Sequence, residues 1–316
     1  MNWPLMRNNI TREDVGAVRN FLNGDIWPLR KRDGSLDAWV PGPLPKLTQG
    51  DQVAAFEREF AGWLGCKYAV MVNSGSSANL ITLAALRERT GGGEIIVPTI
   101  TWSSDITAVI HAGFTPVFVD IDPRTLGMNM TAVFRAIAAK TKAVFVTHVL
   151  GFNAINPDTR IRLEAMHIDL IEDCCEATGA MMGLSKLGTF GLASNFSFYY
   201  AHHMSTIEGG MVCTDDERFY QMLRQFRSHG LVRERNDDKS KLEAASSDCD
   251  PQFIFSVAGY NVRSTEINAV IGRSQLKRLD ANNALRTSNL LTWLSHLDSQ
   301  RFVTDYRTEG SSNYAL

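Results

Sequence analysis

The densest group of reactive side chains lies between residues 197 and 210, where two adjacent histidines stand among hydroxyls, a glutamate and two glycines. His202 and His203 are compatible with a general base, a metal site or a plain loop. Zinc is disfavoured, because adjacent histidines point apart and no His-x-x-x-His helix accompanies them. The spacing alone does not decide among the remaining interpretations.

A second group of residues is typical of phosphate binding. The run Asn-Ser-Gly-Ser-Ser-Ala-Asn follows an apolar stretch at residues 73–79, and we predict a helix from Ala78 to about Arg89. Glycine and hydroxyls at a helix N-terminus offer backbone N–H groups and a favourable dipole to a phosphate. The alternative is an ordinary serine cap and turn.

Two further residues follow predicted strands. Trp102 has the ring needed to stack on a flat aromatic cofactor, or it is a core or lid tryptophan. Asp173 either holds a proton on a ring nitrogen, as a pyridinium requires, or caps the next helix. Cys174 and Cys175 are adjacent and therefore cannot form a Cys-x-x-Cys metal clamp. No metal site is predicted.

The elements that position these residues follow one rhythm. Short apolar runs recur about 25 residues apart from the second run onward, which leaves room for a strand, a crossover helix and two loops. They are Tyr68–Val72, Glu94–Pro98, Pro116–Asp120, Ala143–Thr147, Ile168–Glu172 and Ser194–Tyr199. The fold class is therefore α/β, with a mostly parallel sheet sandwiched by helices. Ligands of such sheets bind beyond the carboxyl ends of the strands, where the residues above lie.

Composition narrows the class of protein. The chain has 316 residues, 44% of them hydrophobic and 21% charged, with a net charge of −2. This charge gives no field that attracts nucleic acid or an anionic membrane, and no apolar run reaches the ~18 residues of a membrane helix. The N-terminus lacks the regions of a signal peptide, and five cysteines form no disulfide framework. We expect a cytoplasmic enzyme.

We expect two domains. Residues 1–250 form a large cofactor-binding domain that includes an N-terminal arm, and residues 251–316 begin a smaller C-terminal α+β domain. Residues 233–251 are polar and predict a long surface loop, and the polar stretch at 309–313 offers no closing helix or strand. We therefore expect the chain to be cut short within the small domain.

Several motifs in order resemble the DegT/DnrJ/EryC1/StrS family of sugar aminotransferases, which are fold-type I pyridoxal-phosphate enzymes. The motifs are Ser-Gly-Ser-Ser, Pro-Thr-Ile-Thr-Trp, Val-Phe-Val-Asp-Ile-Asp-Pro, Ile-Glu-Asp-Cys-Cys-Glu, Gly-Thr-Phe-Gly, Ser-Phe-Tyr…Glu-Gly-Gly, Arg-Ser-His-Gly and Gly-Tyr-Asn-Val-Arg-Ser-Thr-Glu. The resemblance runs from about Pro4 to the last residue.

One position departs from the family pattern. Family aminotransferases read Ser-Phe-x-x-x-Lys, and that lysine forms the Schiff base with the cofactor, whereas this chain has His202 there. An imidazole cannot form an imine. The resulting motif resembles the nucleotide-sugar 3-dehydratases, which use pyridoxamine phosphate to remove the 3-hydroxyl of a 4-keto-6-deoxy sugar. The resemblance implies that His202 transfers the proton in that reaction, because a neutral histidine suits it.

The resemblance also assigns the cofactor's contacts. Three serines bind its phosphate, namely Ser76, Ser77 and Ser197. Trp102 stacks on the ring, and Asp173 keeps the ring nitrogen protonated, so that the ring accepts electrons.

Three residues complete the resemblance. Glu176 stands where the family has a glutamine near the ring hydroxyl. Asn261 matches an asparagine that reaches the cofactor phosphate of the neighbouring subunit, which implies a homodimer with composite active sites. His203 is expected to orient the loop.

The dehydratases form two branches, and the cluster-free branch fits better. The other branch binds a [2Fe–2S] cluster through closely spaced cysteines before Gly-Tyr-Asn, where this chain has Cys249 alone, so no iron–sulfur cluster is expected. The implied function is dehydration of a nucleotide sugar in dideoxysugar and lipopolysaccharide O-antigen biosynthesis, with the GDP-4-keto-6-deoxy-mannose type favoured. Glutamate is the expected amino donor that regenerates pyridoxamine phosphate from pyridoxal phosphate.

Three other functions are compatible with parts of the sequence. An ordinary aminotransferase of the family is opposed by His202, and a non-catalytic relative that binds a nucleotide sugar or a partner protein gains weight from the short C-terminus. A dinucleotide enzyme has only Gly91-Gly92-Gly93 in its favour, and these glycines precede a strand instead of following one.

Overall fold

The computed structural model describes residues 9–23, 45–237 and 248–314, in which strands and helices alternate. The strands are β1 (Tyr68–Val72), β2 (Glu94–Pro98), β3 (Thr115–Val119), β4 (Thr141–Thr147), β5 (Asp169–Asp173), β6 (Met181–Met182), β7 (Ser185–Lys186), β8 (Ala193–Ser197) and β9 (Gly210–Thr214). The helices are α1 (Arg12–Leu22), α2 (Asp51–Leu64), α3 (Gly75–Thr90), α4 (Ser103–His111), α5 (Met130–Ala136), α6 (Thr159–Ala165), α7 (Glu217–Arg227), α8 (Glu266–Leu276) and α9 (Leu279–His296).

Seven strands form one sheet in the order β1-β9-β8-β5-β4-β2-β3, and β6 and β7 form a separate hairpin. Strands β3, β2, β4, β5 and β8 pair in parallel. Strand β9 runs antiparallel to both of its neighbours, β8 and β1. The prediction of a mostly parallel α/β sheet is confirmed, and the carboxyl ends of the parallel strands meet at one edge.

Strand positions agree closely with the apolar runs. Strands β1 and β2 have the predicted bounds, and the other four differ by one or two residues. The prediction missed β9, because no crossover helix separates it from β8 and the spacing rule therefore does not apply. Strand β3 lies at the sheet edge, and its Phe118 is 55% exposed.

Helix α2 packs its apolar residues against one face of the sheet. Phe60 packs edge-on against Phe196 of β8, with ring centroids 5.1 Å apart. The carboxylate of Glu266, at the start of α8, accepts hydrogen bonds from the backbone N–H groups of Gly50, Gln52 and Val53. Two helices distant in sequence are thereby joined at their N-termini.

The segment after α9 returns across the carboxyl edge of the sheet. Ser312 N–H donates to the Gly151 carbonyl at 3.2 Å, and Tyr314 N–H donates to Leu150 at 3.2 Å. The polar stretch at 309–313 therefore packs against the large domain. The domain boundary at residue 250 stays a prediction. Among the described residues, no helix is long and apolar enough to cross a bilayer.

Candidate functional site

The N-terminus of α3 forms a cradle with the end of β8. Ser74 caps the helix, and its Oγ accepts a hydrogen bond from Ser77 N–H at 3.1 Å. A Cβ on Gly75 would lie 2.6 Å from the Cβ of Ser197, so glycine is required for this close approach. Ser76 is exposed beside the cradle. The structure thus brings Ser76, Ser77 and Ser197 to one helix N-terminus, which favours an anion.

Asp173 ends β5 next to this cradle and is 4% exposed. Its Oδ1 accepts a hydrogen bond from Cys175 N–H at 2.8 Å, and its Oδ2 accepts one from the Asn79 amide at 3.0 Å. The same amide nitrogen donates to Asp105 at 2.7 Å. Burial and the charge of Asp173 raise the pKa of Asp105 well above its usual range. Sequence reasoning missed both Asp105 and the role of Asn79.

Trp102 is the N-cap residue of α4, the helix that carries Asp105 in its first turn. Its side chain is 70% exposed, which excludes the core-tryptophan alternative. An exposed indole at a strand end offers an aromatic face to a flat ligand. The position of Trp102 was also a usable signal for Asp105, because both belong to one helix start.

Glu176 lies on the turn that follows β5. One of its carboxylate oxygens accepts a hydrogen bond from Leu150 N–H at 2.7 Å. Burial raises the pKa of Glu176 above its ordinary value. The side chain therefore lies between the end of β5 and the 3-10 turn at residues 149–151, and the expected contact with a ring hydroxyl stays a prediction.

His202 lies in the turn after β8, where its backbone N–H donates to the Tyr199 carbonyl at 3.0 Å. Its ring is partly exposed, and its Nδ1 is buried without a hydrogen-bond partner among the described residues. Burial lowers the pKa of His202 to about 4, with Arg286 adding to the decrease and Asp173 opposing it. The imidazole is therefore neutral at neutral pH, as a base must be.

His203 is more deeply buried than His202. It is fully buried, and its Nε2–H donates to the backbone carbonyl of Ser312. Burial lowers the pKa of His203 to about 3. This side chain anchors the loop to the C-terminal segment, a contact that supports the expected orienting role.

The C-terminal segment forms one wall of the site. The ring of Tyr314 lies 5.3 Å from that of His202, and the guanidinium of Arg286 donates to the Tyr314 carbonyl at 2.5 Å. Burial raises the pKa of Tyr314 to about 12. Neither residue stood out in the sequence, because both reach the site only through the return of the chain after α9.

Asn261 precedes a residue that contacts the serine-rich segment, since the Val262 carbonyl accepts a hydrogen bond from Asn73 N–H at 2.9 Å. Asn261 is exposed where its backbone pairs with Ser228 at the end of α7. Lys186, between the β5 and β8 motifs, donates through Nζ to the Trp63 carbonyl at 2.7 Å and lies over the Trp63 ring. This lysine is thus engaged with α2.

A separate buried group has the composition of a metal site. The candidate ligand atoms of His148, Glu172 and Cys174 lie within 4.8 Å of one another. However, His148 Nδ1 accepts from Ala154 N–H at 3.1 Å, and its Nε2 faces Glu172 at 3.2 Å. The Glu172 carboxylate also accepts three backbone N–H groups, those of Gly188, Phe190 and Gly191. Hydrogen bonds already occupy the His148 and Glu172 atoms, so these two residues form a structural network.

Comparison with known proteins agrees with this geometry. The model of the DegT/DnrJ/EryC1/StrS aminotransferase family matches residues 44–315. GDP-4-keto-6-deoxy-D-mannose 3-dehydratase of Yersinia pseudotuberculosis is 32% identical, over 99% of this chain and 76% of the relative. The enzyme of the same name from Escherichia coli O55:H7 is 37% identical, over 85% of this chain and 71% of the relative.

Aminotransferases are also among the similar proteins. UDP-N-acetyl-3-dehydro-alpha-D-glucosamine 3-aminotransferase of Acidithiobacillus ferrooxidans is 34% identical, over 78% of this chain and 62% of the relative. The similarity of sequence therefore extends to both reaction types.

Solved structures show the same fold with pyridoxal phosphate (PLP). The E. coli GDP-4-keto-6-deoxy-D-mannose-3-dehydratase with bound hydrated PLP has a TM-score of 0.78 at 33% identity, over 93% of this chain and 72% of that chain. A GDP-4-keto-6-deoxymannose-3-dehydratase with a trapped PLP-glutamate geminal diamine has a TM-score of 0.75 at 32% identity, over 92% of this chain and 73% of that chain.

Proposed function

Because the chain belongs to the DegT/DnrJ/EryC1/StrS aminotransferase family, we propose that it is a pyridoxal/pyridoxamine-phosphate-dependent nucleotide-sugar 3-dehydratase. Its substrate is a nucleotide-linked 4-keto-6-deoxy hexose, and the similar dehydratases favour the GDP-4-keto-6-deoxy-mannose type. The observation that carries the proposal is His202, a neutral imidazole where family aminotransferases have a lysine. A side chain that cannot form an imine opposes the aminotransferase alternative.

The residues present fit a pyridoxal-type cofactor. The cradle at the start of α3 has no room for a Cβ at Gly75. Backbone N–H groups and serine side chains are therefore the groups that it offers to a phosphate. Trp102 offers an exposed indole face to a ring, and Asp173 offers a carboxylate to a ring N–H. We therefore assign phosphate binding to Ser76, Ser77 and Ser197. Together with Trp102 and Asp173, these serines would hold a cofactor that supplies an amine for the sugar ketone and an electron-accepting ring.

His202 moves the proton in this proposal. Its neutral ring has an unpaired lone pair available to a bound molecule, and no described partner holds Nδ1. Asp173 supports the reaction by keeping a ring nitrogen protonated.

His203 and the C-terminal segment position the base. The hydrogen bond from His203 to the Ser312 carbonyl fixes the turn that carries His202. Tyr314 packs against the His202 ring at 5.3 Å, which limits its rotation. The orientation of the base is thus set by two contacts outside the cofactor's own ligands.

Three further features belong to the proposal. Glutamate is the amino donor, supported by the PLP-glutamate adduct held by a structural relative. A homodimer completes the site, supported by the exposed position of Asn261. No iron–sulfur cluster takes part, because Cys249 is exposed and alone in its segment and a cluster needs four thiolates.

An absorption titration tests the cofactor chemistry. Pyridoxal phosphate and then glutamate are added to the protein, and parallel samples are reduced with borohydride. We expect conversion to the pyridoxamine form with no cofactor fixed to the protein. His202→Lys is the positive control, since its amine is expected to give borohydride-stable cofactor. Trapping in the wild type, or no binding at all, contradicts the proposal.

Turnover tests the substrate. We expect loss of the 3-hydroxyl from GDP-4-keto-6-deoxy-mannose only with pyridoxamine phosphate, or with pyridoxal phosphate plus glutamate. An amino sugar as the product would instead establish the aminotransferase alternative.

A further inference from the structure

Three oxygen atoms beside Asp173 form a closed triangle. Oδ2 of Asp105 accepts from Thr147 Oγ1 at 2.7 Å and is also within hydrogen-bonding distance of Thr101 Oγ1. The two threonine hydroxyls lie 2.7 Å from each other. Asp105 is 1% exposed, so water does not enter this arrangement to supply other partners.

The triangle requires three hydrogens. Each of the three oxygen pairs needs one hydrogen between its two atoms, and the two threonine hydroxyls together supply two. If Asp105 were ionised, one pair of oxygens would lie at hydrogen-bonding distance with no hydrogen between them, which is repulsive. A proton on Asp105 Oδ2 completes a ring in which every oxygen donates once and accepts once.

The other oxygen of Asp105, Oδ1, faces Asn79. The two hydrogens of the Asn79 amide go to Asp105 Oδ1 and to Asp173 Oδ2, at 2.7 and 3.0 Å. Asn79 therefore links the two carboxyl groups without charge of its own. We propose that Asp105 is held as a neutral carboxylic acid and is a positioning residue, which through Asn79 orients Asp173 as the single charged carboxylate of the pair.

The surroundings of Asp105 favour its neutral form. Asp173 at the end of β5 and Cys175 just beyond it are the titratable groups that interact with Asp105 electrostatically. The charge of Asp173 opposes a second charge, and the pKa of the buried Cys175 thiol is raised well above its usual range. The other hydrogen-bond partners, on α3, β4 and the loop before α4, are uncharged.

The consequence for the site rests on the proposed function. One carboxylate charge balances one protonated ring nitrogen, whereas two ionised carboxyls would leave an excess negative charge buried beside it. Asparagine mimics a neutral aspartic acid in shape, so Asp105→Asn is expected to keep the absorption spectrum of bound pyridoxal phosphate and its dependence on pH.

Proton linkage in the cofactor-free protein tests the proposal directly. Asp105 would be protonated when folded and ionised when unfolded above about pH 4, so unfolding releases one proton. The unfolding equilibrium constant of the wild type, relative to that of Asp105→Asn, is expected to rise about tenfold per pH unit between pH 5 and 7. Asp120→Asn, at an exposed position, is the matched control. Parallel curves for wild type and Asp105→Asn overturn the proposal.

Infrared spectroscopy gives a second measurement that begins with the wild type. We expect a protonated-carboxyl band at pH 7 that disappears in Asp105→Asn and persists in Glu176→Gln. Absence of the band from the wild type overturns the proposal even if the variant does not fold. A protein that shows the band and the proton release but binds no pyridoxal phosphate refutes the proposed function alone.

Discussion

Glu172 and Asp173 are consecutive residues of β5, and each has a histidine in its surroundings. Side chains of successive strand residues point to opposite faces of the sheet. Glu172 is fully buried and bonds His148 together with three backbone N–H groups. Asp173 accepts two hydrogen bonds, and the histidine that it influences, His202, keeps an unpaired Nδ1.

The difference separates a structural carboxylate from the one that we propose to contact the cofactor. Every oxygen of Glu172 is occupied by donors that belong to fixed loops, so the pair with His148 holds the fold. The Asp173 side leaves hydrogen-bonding capacity for a ligand. Residue type alone therefore does not distinguish the two carboxylates. The number of hydrogen bonds that each one already accepts does distinguish them.

The largest effect is expected from Glu172→Ala. Removing this carboxylate leaves three backbone donors and His148 without their acceptor in the core, at a cost of about 3–5 kcal/mol in the free energy of unfolding. Urea unfolding measures this cost. A loss below about 1 kcal/mol would break the comparison, since Glu172 would then not be the structural member.

His202→Asn tests the other histidine. We expect dehydration to fall by about 10²–10⁴-fold while cofactor binding is kept, because a proton-transferring group is removed. Single-turnover kinetics with pyridoxamine phosphate measures the rate. His148→Asn is the matched control, which is expected to reduce stability and leave the rate per folded molecule unchanged. Retained dehydration in His202→Asn would remove this residue from the mechanism.

Asp173→Asn sharpens the comparison at the level of binding. Loss of a charge-assisted hydrogen bond, about 1.5–3 kcal/mol, is expected to weaken binding of pyridoxal phosphate by roughly 10- to 100-fold. Equilibrium dialysis measures the affinity. Unchanged affinity would mean that Asp173 does not face the ring nitrogen.

The last expected effect is a gradual dependence of stability on pH. His202 has a pKa of about 4 in the folded protein, below the ~6.5 of an unfolded histidine, so unfolding takes up a proton between these values. Its stabilising contribution is present above pH 6.5 and is lost as the pH falls, by up to about 1.4 kcal/mol per pH unit. The urea midpoint of the wild type is expected to fall relative to that of His202→Asn as the pH is lowered from 6.5 toward 4. A constant difference between the two midpoints would contradict this.

Much of the fold follows from local sequence patterns. Strands β1 and β2 have the predicted bounds because their apolar runs are short and sharply ended. Trp102 and Asp173 could be singled out from the sequence because they lie at or soon after the end of an apolar run. Asp105 was not predicted, because its contact with Asp173 depends on the order of β5, β4 and β2 in the sheet.

The C-terminal wall was beyond prediction for a related reason. Arg286 and Tyr314 are far from the histidine turn in sequence, and no periodicity indicates that the chain returns there after α9. The family resemblance supplied residue roles that spacing alone left open, above all at His202. The contact of Asn261 with a second subunit depends on assembly, and it stays a prediction.

The hydrogen bond between His203 and Ser312 joins residues 109 positions apart. During synthesis, the turn that carries His202 therefore emerges from the ribosome long before its anchor does. At about 5–20 residues per second, that interval lasts roughly 5–20 seconds, during which the sheet has time to fold. The turn that carries His202 is consequently anchored late, after the sheet and the N-terminus of α3 have been synthesised.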